Sequence, residues 1–290
     1  MDWSAILIPG RAPPCRDMAS NLQQRIRPPA VAGMFYPADP AQLGHDLDAM
    51  LKRVSAPEPP VPKAIIAPHA GYIYSGPVAA TVYATLRPAR ETITRVVLLG
   101  PTHRVAVRGL ALPDADGFAT PLGTVEIDVE AAARLRRLAH VTVSAAAHAL
   151  EHSLEVHLPF LQKVLARFRL VPLAVGHASP EQVAEVLDAV WGGAETLIVI
   201  SSDLSHYLPY GEAQATDRRT CDSILRLSTS IAHDQACGAT PVSGLALAAQ
   251  RRGLVSRLLD LRNSGDTAGD KRKVVGYASF AFYQDGGHVH

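Results

Sequence analysis

Three stretches that read as buried strands each run into a histidine. KAIIAPHAGY delivers His69, RVVLLGPTH delivers His103 and TLIVISSDLSHY delivers His206. In open α/β sheets, ligands gather outside the carboxyl ends of the strands. Three imidazoles brought to that edge point to one site assembled from distant segments. Cys237, in ACGATP ahead of an apolar helical stretch, is a fourth candidate. Imidazole together with thiolate suits a transition-metal centre. A lone cysteine is also an ordinary small core residue, and a lone histidine an ordinary loop residue. Only convergence separates these readings.

The flanking residues suggest how each group is held. Pro68 precedes His69 and Gly71 follows it, while Gly100-Pro101 lead into His103. Proline restricts the backbone before it and glycine permits a sharp turn, so each imidazole can be fixed off a strand end. Cys237 stands just ahead of a helix expected from near Pro241, whose N-terminus would lower the thiol pKa. His206 follows SSDLS, with Asp203 three residues earlier. A carboxylate or carbonyl on one ring nitrogen would fix the tautomer and leave the other nitrogen as base or ligand. His206 is therefore assigned a catalytic, proton-moving role, the alternative being that Asp203 only caps the segment. EHSLEVH is not the HExxH of zinc proteases, because His152 and His157 are five apart and fall on different helix faces. His152 and Glu155 would share a face. We read His152 as a catalytic pocket residue and Glu155 as its partner. SSDLS lacks the glycines of a nucleophile elbow, and neither a P-loop nor a GxGxxG element is present.

The elements that must position these groups alternate. Strands are expected at 63–67, 93–99, VAVRGLALP, GTVEIDV, RLVPLAV and TLIVISS, with VSRLLDLRNSG and VVGYASFAFY closing the chain. Helical spacing runs through AQLGHDLDAMLKRV, 78–86, VEAAARLRRL, EHSLEVHLPFLQKVLARF, PEQVAEVLDAVW, GEAQATDRRTCDSILRL and VSGLALAAQRRG. This alternation predicts a three-layer α/β/α fold with a mixed, mainly parallel central sheet. Residues 1–27 lack periodicity and read as a mobile tail, 28–284 as one domain, and 285–290 as a frayed end. APEPPVP is a connector that helix cannot cross.

The 290 residues are 48% hydrophobic and 19% charged, with formal net charge +1. That composition supports a sizeable core and provides no clustered basic face for nucleic acid. No apolar run approaches the ~20 residues of a membrane span. Three cysteines, Cys15, Cys221 and Cys237, form no dense disulfide framework, which fits a reducing cytoplasm. Cys221 reads as structural within its helix.

The segments AIIAPHAGYIYSG, LLGPTHR, TPLGTVEID, EHSLEVHLPF, VISSDLSHY, CGATPV and VVGYASFAF, in this order over residues 28–283, resemble the Memo family. Its prokaryotic members are called AmmeMemoRadiSam system protein B. The resemblance implies a LigB-like fold, similar to class III extradiol dioxygenases, which open catechol rings with non-haem Fe(II) and O₂. It implies metal ligands at His69, His103 and Cys237, an acid/base role for His206, and His152 and Asp203 in the pocket. It also implies a small-molecule substrate, aromatic in the dioxygenase relatives, and AMMECR-domain and radical SAM proteins as partners. The dioxygenases complete their ligand set with a carboxylate where this chain offers Cys237. A thiolate shifts preference towards copper, zinc or a more electron-rich iron. Three functions stay open: a metal-dependent redox enzyme using iron or copper, a scaffold that binds phosphopeptides or those partners, and a zinc hydrolase.

Overall fold

A computed structural model of the chain describes residues 24–55 and 60–284. Strand β1 is Ile26–Arg27, helix α1 Pro40–Lys52, β2 Ala64–Ala67 and α2 Tyr72–Ala84. Then come β3 (Arg95–Pro101), β4 (Leu110–Leu112), β5 (Gly117–Thr120), β6 (Gly123–Glu126), α3 (Val129–Leu135), β7 (Val141–Val143), α4 (Ala145–Ala149) and α5 (Leu158–Val164). The remainder holds β8 (Arg169–Val175), α6 (Pro180–Val190), β9 (Thr196–Ser201), β10 (His206–Leu208) and α7 (Tyr210–Leu225). It ends with α8 (Ala239–Arg251), β11 (Leu254–Asn263), α9 (Ser264–Thr267) and β12 (Val274–Gln284).

Local chemistry starts the helices. Asp39 caps α1 by accepting from the amide of Gln42, and Ser179 and Gln182 form a capping box at α6. In both, proline holds the first helical position, where a missing N–H costs nothing.

The large sheet has the order β10-β12-β2-β9-β3-β8-β4-β7, with β11 also pairing β12. Its centre, β2-β9-β3-β8, is parallel, as is β4 with β7. The β12/β2, β11/β12, β10/β12 and β4/β8 pairs are antiparallel. Residues of β2 and β9 are buried throughout, as are those of β3 and β8 after the first. Strands buried on alternate sides need both faces covered. Helix α2, with α1 and α5 beside it, packs on β2, β11 and β12, whereas α8, with α6, packs on β3 and β9. The expected α/β class with a mixed sheet is what forms. A small second sheet, β1-β5-β6, shares the same continuous core through Phe118 and Val125.

Two expectations change. Helix does not run through 151–168: residues 151–154 are loop and turn, Glu155–His157 is a single 3₁₀ turn, and α5 begins at Leu158. Pro159 lies in the first turn of α5, where it lets a helix begin and prevents one from continuing through. The body also starts before the expected boundary. Ile26 and Arg27 pair with Gly117 and Phe118, and Arg27 is buried. The rest of the expected tail, most of the connector and the last six residues lie outside the described residues.

Candidate metal centre

Strands β2, β9 and β3 stand side by side, so their carboxyl ends share one edge of the sheet. His69 lies two residues beyond β2 and His103 two beyond β3, while the loop after β9 carries Ser202 and Asp203. The segment 151–157 closes over this edge. It can approach because residue 100 is glycine: a Cβ there would stand 2.9 Å from Ser153 Oγ and 3.0 Å from a Leu154 methyl. Gly100 thus serves close packing inside β3 rather than the turn expected before His103.

The ring nitrogens of His69, His103 and His152 that can ligate a metal all lie within 4.8 Å of one another. Two hydrogen bonds decide which nitrogens are free. Nδ1 of His103 is 2.9 Å from Oε1 of Glu151, and the His103 amide donates to Oε2 at 2.6 Å. A carboxylate only accepts, so Nδ1 holds the proton and Nε2 is bare. At His69, Nδ1 is 2.6 Å from Ser201 Oγ, whose own hydroxyl donates to the Ser153 carbonyl at 2.5 Å. With its one proton committed there, Ser201 accepts from Nδ1, and Nε2 of His69 is bare as well. Burial, followed by the neighbouring imidazoles of His103 and His152, drives the His69 pKa well below its ordinary value. His69 is therefore neutral at physiological pH, the form that ligates metals.

Cys237 approaches one member of this group: Sγ is 3.3 Å from Nε2 of His69. Two ligands of one ion, with bonds of ~2.3 Å to sulfur and ~2.1 Å to nitrogen, stand ~3.1–3.6 Å apart for angles from square to tetrahedral. The sulfur also accepts from the Asp203 amide at 3.3 Å. The expected lowering of its pKa by α8 does not occur. Burial, then the charge of Asp203, pushes it up to about 12. Desolvation of a thiolate outweighs the helix end, so deprotonation requires a cation beside it.

Asp203 belongs to His69 rather than to His206. Its Oδ1 accepts from the His69 amide at 2.7 Å, and Oδ2 is 3.9 Å from Nε2. Burial raises its pKa to about 7 against these hydrogen bonds. The tautomer of His206 is fixed instead by a backbone carbonyl, Nδ1 donating to Leu204 at 2.8 Å, so its Nε2 is free. His206 is exposed at the surface, and the partial desolvation of its ring lowers its pKa. His152 stacks on His103, with ring centres 4.6 Å apart, and lies 4.8 Å from the ring of Phe35. Burial lowers its pKa to about 4, against the opposing effect of Glu151.

The expected pairing of His152 with Glu155 is corrected. Without a helix through 151–154 the two no longer share a face. Glu155 is fully buried away from His152, accepting from Arg27 Nη1 (2.6 Å), the amides of Ala30 and Val31 (2.7 and 3.0 Å) and Tyr36 Oη (2.5 Å). The carboxylate beside His103 and His152 is Glu151, with Oε1 3.4 Å from Nδ1 of His152. Its hydrogen bonds, led by those from His103, hold its pKa down at about 2 despite burial. Sequence reasoning passed over Glu151 and Ser201. The available signal was position: Glu151 directly precedes His152, and Ser201 ends the strand leading to Asp203.

The Memo-like protein family matches residues 27–281. A MEMO1 family protein of Aquifex aeolicus is 38% identical over 270 residues, covering 89% of this chain and 99% of the relative. One from Methanothermobacter thermautotrophicus is also 38% identical, over 274 residues (87% and 99%). One from Sulfolobus acidocaldarius is 34% identical over 282 residues (89% and 99%). Among solved structures, an uncharacterized protein from Escherichia coli K12 aligns with TM-score 0.49 and 12% identity, over 75% of this chain and 98% of that one.

Proposed function

The chain belongs to the Memo family, and from that premise we propose that it is a metal-dependent redox enzyme whose centre lies at His69 and His103. The observation that carries this reading is the pair of fixed tautomers. Glu151 and Ser201 engage both Nδ1 atoms and leave both Nε2 atoms bare in one cluster. Such outer partners are what orient ligand histidines in metal sites. Cys237 Sγ and His152 are the two candidates for a third donor. The thiol's separation from His69 fits a shared ion, and His152 completes a set of three imidazoles. Iron(II) is the first choice, with copper and zinc as alternatives suited to the same donors.

A bound Fe(II) or copper would supply one-electron chemistry and Lewis acidity at this edge of the sheet. The chain's own residues do the rest. Glu151 stays ionised and holds the His103 ring. Ser201, locked by the Ser153 carbonyl, holds the His69 ring. His206 accepts a proton at Nε2 while Leu204 retains the proton on Nδ1. Phe35 and the 151–157 segment shield the buried side from water.

An oxygen electrode tests the redox reading. Iron-loaded protein should consume O₂ with at least one of a panel of catechols, and zinc-substituted protein should not. Zinc-loaded protein that hydrolyses esters or amides, with no O₂ uptake by the iron form, would favour the hydrolase instead.

A further inference from the structure

His206 is exposed on β10, a strand of three residues, yet its ring is held on a single carbonyl, that of Leu204. The next residue, Tyr207, has a φ of 59°, left-handed backbone that is costly for a bulky side chain. It is the extra residue of a bulge: His206 stands opposite Val275 and Leu208 opposite Val274, with Tyr207 between them unpaired. Bulges beside sites re-aim a neighbouring side chain. A conformation of this kind persists only where the surrounding structure over-determines it.

Three buried contacts supply that constraint. The Leu204 amide donates to the Gly276 carbonyl at 2.8 Å, and the Gly276 amide to the Ser205 carbonyl at 2.9 Å. The Ser205 amide donates to Oδ1 of Asp217 at 3.0 Å. Ser205 joins Leu204, whose carbonyl takes the Nδ1 proton, to His206 itself. The turn runs on directly from Asp203, which accepts from the His69 amide. Asp217 lies in the middle of α7 and is 1% exposed. Burial raises its pKa against the bond from the Ser205 amide, and no cationic side chain is among its partners in the described residues. A carboxylate buried without a cation is costly, and α7 would form as readily with alanine there. Room is nevertheless made for it: a Cβ at Gly276 would collide with this carboxylate. Glycine inside β12 thus serves a close approach.

We propose that Asp217 is a positioning residue for His206: its carboxylate pins the 204–207 turn through the Ser205 amide, so that the Leu204 carbonyl keeps the Nδ1 proton and Nε2 stays free. Asp217 acts through the backbone, not on the ring. The inference rests on the proton-moving role given to His206 and deepens it by naming what holds that group in its working tautomer.

The test reads the imidazole tautomer by two-dimensional nitrogen-15 NMR of the full-length protein above its histidine pKa range, with diamagnetic zinc present. His206→Gln identifies the His206 signals by their loss. Wild type should carry the proton on Nδ1 of His206. Asp217→Ala should lose that signature to a mixture of both tautomers. Asp217→Asn, whose side-chain oxygen can still accept from the Ser205 amide, should keep it. The His103 signals should be the same in all three proteins, which a general loosening of the fold would not allow. Gly276→Ala, which displaces the carboxylate without removing it, should reproduce the Asp217→Ala change and covers the case in which that variant does not fold. An Nε2–H tautomer in wild type, or an unchanged His206 signature in folded D217A or G276A, would overturn the proposal. So would unfolding of both variants, which would make Asp217 a support of the core alone. If the tautomers behave as expected while iron-loaded wild type consumes no O₂ with any catechol, the positioning stands and the proposed reaction falls.

Discussion

At His69 and His103 the nitrogen that faces the centre is free because the other nitrogen of the same ring is engaged. That makes Glu151 the residue on which His103 depends. Glu151→Gln should lower metal affinity by about 10–100-fold, as expected for loss of an outer partner of a ligand histidine. Competition with a chromophoric chelator measures it, and unchanged affinity would show that Glu151 does not orient His103. His69 and His103 were legible in the sequence because a buried apolar run ending in histidine marks a strand end. Glu151 was not, because its role depends on the loop path of 151–154, which local spacing does not reveal. Cys237 was legible as a candidate, but its expected acidity was not, since burial depends on what packs around it. At His206, Asp203 was the nearest carboxylate in sequence, and the carbonyl of Leu204 turned out to be the partner.

Among elements, β1 and the 151–157 segment are joined by one buried network. Glu155 accepts four hydrogen bonds, one from the guanidinium of Arg27, whose side chain is 5% exposed. Arg27 in turn donates to the carbonyls of His148 and Glu151, bracketing the carboxylate that holds His103. Glu155→Gln leaves that guanidinium buried without its counter-charge, a change expected to destabilise the fold by about 3–5 kcal/mol. Urea denaturation reads this as a lower midpoint, and an unmoved midpoint would mean that Arg27 finds another partner. Both ends of this network were misplaced in the sequence reading. Arg27 was assigned to a tail because nothing around it is periodic. Glu155 was assigned to the pocket because helical spacing was carried through Pro159. Pairing of β1 with β5 is non-local, and no short-range pattern announces it.

For the whole molecule, two buried histidines away from the proposed ligand positions set a pH dependence. Burial lowers the pKa of His148 to about 4 and of His157 to about 3. Each has a sealed ring nitrogen without a partner, Nδ1 in His148 and Nε2 in His157. Below the ordinary histidine pKa of ~6.5 the unfolded chain binds these protons and the folded chain does not. These two histidines should therefore lower stability as pH falls from ~6.5 towards 4, by about 2 kcal/mol each at pH 5; the lowered His69 and His152 act in the same direction and the raised Asp203 carboxyl in the opposite one. Urea midpoints at pH 7.5 and 5 check it, and equal midpoints would contradict it. At this scale the sequence was most informative. Continuous apolar runs such as RVVLLGP and TLIVIS marked the parallel centre, and the late strand pair marked antiparallel pairing. In the small β1-β5-β6 sheet, β6 fell within the expected strand GTVEIDV, but β1 and β5, two and four residues long, escaped as too short to show a period. The central claim, that far-separated strand ends build one metal site, is tested most directly by metal stoichiometry after anaerobic purification. Wild type should carry about one ion per chain, His103→Ala should carry almost none, and comparison of Cys237→Ser with His152→Ala should show which supplies the third donor. A wild type without metal, or a His103→Ala protein that keeps a full complement, would contradict the account.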